Sequence, residues 1–129
     1  MKYSIQILLL VGMLTCLSTM SKAQNSSTMY RIAKIKVDPL QLEKYQSALQ
    51  EQMNAAIKLE PGVLSYTAVA DKKEASWITI LEVYANPESY QSHIITPHFK
   101  KYKETVKDMV LSLELIDADL LVRAKKSDY

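Results

Sequence analysis

The chain has 129 residues, with 16 Lys and Arg against 14 Asp and Glu, a formal net charge of +2. It carries one cysteine and two glycines. That composition excludes a disulfide scaffold, a cysteine-ligated zinc site and the glycine-rich loops that cradle nucleotide phosphates, because close approach of backbone to phosphate needs several glycines.

The first residues read as a targeting segment. Lys2 precedes an apolar run from about Ile5 to Leu17, and Ser21-Lys22-Ala23 supplies a small-x-small end. This is the pattern of a secretory signal peptide, residues 1–23, cleaved before Gln24. An uncleaved anchor is the rival reading, but a bilayer span needs about 20 apolar residues and this run is shorter. A lipoprotein anchor would use Cys16, and Thr15 before it fits that signal poorly. Cleavage removes Lys2 and Lys22, so 14 basic residues balance 14 acidic ones and the net charge falls to zero. A neutral chain gives no reason to expect nucleic acid or an anionic surface as partner, and cleavage of the signal leaves no expected membrane anchor. The expectation is an exported protein, periplasmic or secreted.

Residues 24–28 form a polar tail, expected to be disordered, and 29–129 a single domain. Met29–Val37 alternates as a strand, with Ala33, Ile35 and Val37 on one side. Asp38-Pro39 opens a helix whose apolar face is Leu42, Tyr45, Leu49, Met53, Ala56 and Ile57. Glu60-Pro61-Gly62 ends it, with Gly62 expected to take unusual dihedrals. Val63–Ala70 and Ser76–Tyr84 are the next strands, joined by the polar link 71–75 as a hairpin. Asn86-Pro87 caps a short helix to about Ile94, and Thr96-Pro97 starts another to about Met109. Leu111–Ile116 is a fourth strand, with a continuation expected over Leu120–Arg123.

The order is βαββαβ, an α+β ferredoxin-like antiparallel sheet with its helices on one face. The central strands nevertheless read as apolar on both faces. Trp77, Leu81 and Val83 oppose Ile78, Ile80 and Tyr84, and Val63 and Val69 oppose Leu64, Tyr66 and Ala68. A solvated face should alternate to polar, so a second copy packing sheet to sheet is the expected cover, making a homodimer.

Three residues stand out as chemical candidates. Glu82 sits on the side of Ile78, Ile80 and Tyr84, where apolar surroundings disfavour its charged form. His93 and His98, the only histidines, flank the Thr96-Pro97 break and can approach one pocket. A metal site would need a third ligand, and no zinc-type spacing is present. Tyr66, Trp77, Tyr84, Tyr90, Phe99 and Tyr102 offer an aromatic lining, and such stripes commonly form core instead.

Glu60-Pro61-Gly62, the hairpin, Glu82-Val83-Tyr84 and then His93-Ile94-Ile95-Thr96-Pro97-His98-Phe99 together resemble the antibiotic biosynthesis monooxygenase domain, in particular its quinol-monooxygenase-like members. The resemblance covers about Met29–Met109. It implies a dimeric α/β barrel with a cavity between sheet and helices, and oxidation of quinols or phenols by molecular oxygen with no cofactor, neither flavin nor metal. By position it makes His98 and Glu82 the catalytic pair and matches His93 to an upstream histidine of the family; the aromatic lining then supplies Tyr66, Trp77, Phe99 and Tyr84, expected with His93 to hold a small aromatic substrate. The alternative is a non-enzymatic module that binds a small hydrophobic ligand or haem in the same cavity, with His93 or His98 as the haem ligand.

Overall fold

The computed structural model describes residues 27–129. The signal peptide, its cleavage site and Cys16 therefore lie outside the described residues, as does most of the 24–28 tail. No helix among the described residues is long and apolar enough to cross a membrane.

Four strands form one antiparallel sheet: β1 Met29–Val37, β2 Val63–Ala70, β3 Trp77–Tyr84 and β4 Val110–Ala118, in spatial order β2-β3-β1-β4. A 3-10 turn at Pro39–Gln41 leads into α1, Leu42–Leu59; α2 spans Pro87–His93 and α3 Pro97–Val106. Each helical segment starts where a short side chain replaces a missing backbone partner. Asp38 accepts from Leu40 N at 3.0 Å, Asn86 from Ser89 N at 2.8 Å and Thr96 from Phe99 N at 3.3 Å, each followed by a proline whose absent N–H costs nothing at the first turn.

The helices cover one sheet face. Ala33, Ile35, Ile78 and Ile80 from the sheet pack with Tyr45 and Leu49 of α1 and Val106 of α3 in the main core cluster. A smaller cluster joins Ala56, Val63 and Tyr84.

Four features depart from the expectations. First, β2 carries an irregularity between Val63 and Ser65: Val63 pairs with Tyr84, yet Ser65 already pairs with Val83. The extra residue reverses the facing, so Val63 turns inward at 5 % exposure and Leu64 is left out at 52 %. Second, Gly62 has no positive φ. Its role is close approach, since a Cβ there would lie 2.3 Å from Ser89 Oγ and 2.5 Å from Ser89 Cβ. Gly62→Ala should cost about 1–3 kcal/mol through overpacking, read as a lower urea midpoint. Third, α3 stops at Val106, because Met109 N bonds back to Val106 O at 2.9 Å and the next residue enters β4. Fourth, β4 does not continue through Leu120–Arg123. Ala118 pairs with Tyr30, one residue from the start of β1, so β1 has almost no residues left to pair with beyond it. Leu121 and Val122 stand exposed.

No helix among the described residues lies on the other sheet face. Trp77 and Leu81 of β3 and Val69 of β2 are exposed there, at 43 %, 41 % and 59 %. Val83, expected with them, is buried at the end of its strand.

Candidate active site and its hydrogen-bonded chain

Between the sheet and the helices lies a cavity of about 320 Å³. Ala33, Ile35 and Ile80 of the sheet, Leu49 and Met53 of α1 and Phe99 of α3 give it an apolar wall. Its polar groups converge from different elements: Arg31, Glu82, Tyr66, Tyr84, Tyr90 and Tyr102, with Lys103 and Lys107 of the α3 end also on the lining. An apolar pocket with a few placed polar groups is the usual form of a small-molecule site.

The antiparallel register explains why these groups meet. Arg31 lies opposite Glu82 across β1 and β3 and opposite Asp117 across β1 and β4, while Tyr66 lies opposite Glu82 across β2 and β3. Directly opposite residues share a sheet face. The Arg31 guanidinium is held by Asp117 Oδ1, at 3.0 Å from Nε and 2.7 Å from Nη2, and lies 4.1 Å from the Tyr90 ring centroid. Burial pushes the Glu82 carboxyl above the ordinary carboxylate range, opposed by the Tyr84 hydroxyl and the Arg31 charge. Burial likewise raises Tyr66, Tyr84 and Tyr102, so these phenols stay protonated and act as hydrogen-bond groups.

Behind the cavity wall, Glu82 is the end of a continuous chain. Tyr84 Oη lies 2.8 Å from Glu82 Oε2, Tyr66 Oη 2.6 Å from Tyr84 Oη, and His93 Nε2 2.8 Å from Tyr66 Oη. His93 Nδ1 then lies 2.9 Å from Glu60 Oε2, and His98 Nε2 2.6 Å from the same oxygen. Local sequence places Glu60 there. The residue before a proline is driven out of the helical region, and Glu60 is extended at φ −115° and ψ 103°, which turns it off the end of α1.

Each tyrosine has one hydrogen to give, so the chain has two complete arrangements. With Glu82 protonated, hydrogens point from Glu82 through Tyr84 and Tyr66 to His93 Nε2, and neutral His93 donates from Nδ1 to Glu60. With Glu82 ionised and the same number of protons, every hydrogen reverses, and His93 becomes an imidazolium against Glu60. Burial lowers the His93 pKa, with Glu60 opposing, which favours the neutral imidazole. Gln52 Nε2, 3.1 Å from His93 Nε2, donates to an unprotonated nitrogen in that state.

The expected site residues separate accordingly. Glu82, Tyr66, Tyr84 and Phe99 line the cavity. His93 and His98 do come together, their ring centroids 6.2 Å apart, but neither lines the cavity. Neither is therefore placed as a base on a bound molecule or as an axial haem ligand there. His93 is buried behind Tyr66, and His98 borders a separate cleft of about 90 Å³ between α1 and α3. Trp77 lies on the opposite sheet face, with Lys36 Nζ 4.9 Å from its ring centroid, because odd-numbered residues of β3 point away from the helices. Arg31 and Glu60 were missed. Arg31 falls in the same alternating set as Ala33 and Ile35, which is a readable signal for an inward cation. Glu60 reads only as a helix stop.

The antibiotic biosynthesis monooxygenase family model matches residues 28–105. A structure from Bacteroides thetaiotaomicron, described as a candidate antibiotic biosynthesis monooxygenase, is 50 % identical, with a TM-score of 0.74 over 78 % of this chain and 95 % of that one. A candidate monooxygenase from Lactobacillus acidophilus is 30 % identical over 70 % of this chain, TM-score 0.68, and this chain spans 43 % of it. A candidate antibiotic biosynthesis monooxygenase from Caulobacter crescentus, at 22 % identity and TM-score 0.67 over 74 % of this chain and 92 % of that one, shares the fold. No curated protein matches.

Proposed function

The chain belongs to the antibiotic biosynthesis monooxygenase family, and we propose that it is a cofactor-independent monooxygenase that oxidises a quinol-like or phenolic aromatic with O₂. The observation that carries this is the half-buried carboxyl of Glu82, set in a largely apolar cavity opposite Arg31 and tied to a chain that can receive its proton. An apolar cavity of about 320 Å³ suits a compact aromatic ring system.

In this reading Glu82 is the base. It takes a proton from a phenol or from a carbon acid conjugated to one. The proton is accommodated by reversal of the Tyr84 and Tyr66 hydrogens, which leaves the positive charge on His93 beside Glu60. Arg31 stabilises the developing oxyanion in a site where few other dipoles compete. The carbanion-like anion gives one electron to O₂, the radical and superoxide combine to a peroxide anion, and that anion takes back the proton through Glu82 to become a hydroperoxide. Loss of water leaves the carbonyl. For an anthrone-like CH₂ the balance is CH₂ plus O₂ to C=O plus H₂O, with the substrate supplying all the electrons.

We also place two copies of the chain sheet to sheet. The uncovered face carrying Trp77, Leu81 and Val69 supports a second copy as its cover.

The test is oxygen uptake by the purified protein with quinols and anthrone-like phenols, in chelator and without added flavin. Uptake with a carbonyl or hydroxylated product is the expected result. A folded protein that consumes no oxygen across the panel would refute the reading.

A further inference from the structure

We propose that Glu60, His93 and His98 form a binding site for a divalent first-row transition ion of the zinc type. Both histidines of the chain turn one ring nitrogen to the same carboxylate oxygen, and the three donor atoms all lie within 4.8 Å of one another. It is the one such cluster of His, Cys, Asp or Glu among the described residues. Zinc binds imidazole nitrogen and carboxylate oxygen at about 2.0–2.2 Å, which sets tetrahedral donors about 3.3–3.6 Å apart. The present contacts of 2.9 and 2.6 Å need to open by less than about 1 Å to admit the ion.

The donor set selects the ion. Two imidazoles and one carboxylate suit zinc, cobalt or nickel and disfavour magnesium and calcium, which take oxygen ligands. Three protein ligands leave a fourth position for water. The surroundings also fit a ligating histidine. A bound His93 Nδ1 leaves the hydrogen on Nε2, where the Tyr66 hydroxyl lies 2.8 Å away to accept it. Such an outer partner holds the ring and sets its tautomer. Access is through the cleft bordered by His98, Glu51 and Gln52. Glu60 follows α1, His93 ends α2 and His98 lies in the first turn of α3, so one ion would clasp all three helices.

The ion would lie behind the cavity wall, not in it, and its binding is measured apart from turnover; because it would occupy His93 and Glu60, an ion-loaded chain could not pass a substrate proton on to His93. With the ion on Nδ1, the hydrogens of His93, Tyr66 and Tyr84 all point toward Glu82, which stays an acceptor.

The experiment titrates the chelator-stripped protein with Zn²⁺ by calorimetry and with Co²⁺ by visible absorption. One ion per chain and ligand-field bands of low-coordinate Co²⁺ are expected. His98→Ala and the isosteric Glu60→Gln, each checked for fold by circular dichroism, should weaken binding at least about tenfold, and Tyr66→Phe by about 10- to 100-fold as loss of an outer partner. Absence of binding to the native protein overturns the site. So does binding that survives both His98→Ala and Glu60→Gln unchanged, which would mean adventitious surface ions.

Discussion

Glu82→Gln should lower oxygen uptake by about 100- to 10,000-fold, the range for loss of a positioned general base, while making the protein more stable at neutral pH. The two effects share one cause. The half-buried carboxyl is partly desolvated, so the folded protein holds its proton more tightly than the unfolded chain does. That contribution to stability is present in full below the unfolded pKa. It is lost as pH rises through the higher folded value, where the site must hold a charge it solvates poorly. Glutamine keeps the shape and a hydrogen-bond partner for Tyr84 but has no proton to lose, so its thermal midpoint should exceed that of the native protein at neutral pH and converge with it in acid.

Turnover needs the ionised carboxylate, so native kcat/KM should rise with pH through a pKa above the ordinary carboxylate value, and this limb should vanish in the variant. His98→Ala in the same assay should lose far less, because His98 does not line the cavity. If His98→Ala were as damaging as Glu82→Gln, the assignment of Glu82 as base would not stand.

Leu81→Arg should convert a dimer to a monomer. Leu81 lies on the uncovered face in the middle of β3, opposite Ile32 of β1 and Thr67 of β2. An arginine there is tolerated in water on the single chain. Between two sheets it would be an uncompensated buried charge, costing about 3–5 kcal/mol. The two-fold relation of a dimer brings in both arginines, so the dissociation constant should rise by more than about 100-fold. Sedimentation velocity at micromolar protein reads this directly. A variant that still sediments as a dimer would move the contact elsewhere, for example to the exposed Leu121 and Val122 beyond β4.

Much of the fold was legible in residue patterns. β1 and β2 fall where alternation places them, and α2, α3 and the 3-10 turn leading into α1 each start at a capping side chain followed by proline. These signals are local: period two for a strand, a short acceptor side chain for an orphan N–H. Strand facing was legible for Glu82, Ile80 and Ile78, but it failed at Val63 and Leu64. A one-residue bulge there reverses every side chain before it, and nothing in Val63-Leu64-Ser65 announces it.

The amino-acid sequence by itself determined the elements, their order, and the placing of a carboxylate among apolar strand neighbours and of two histidines around a helix break, because each follows from neighbours a few residues away. Only the tertiary structure decided which groups share a site. Arg31 reaches Glu82 through pairing across β1 and β3, some fifty residues apart, and Glu60 reaches both histidines because the extended residue before Pro61 turns toward the break between α2 and α3. The same geometry put Trp77 on the far face and His98 outside the cavity. Register and chain reversal act between residues distant in sequence, and so one-dimensional spacing carries no record of them.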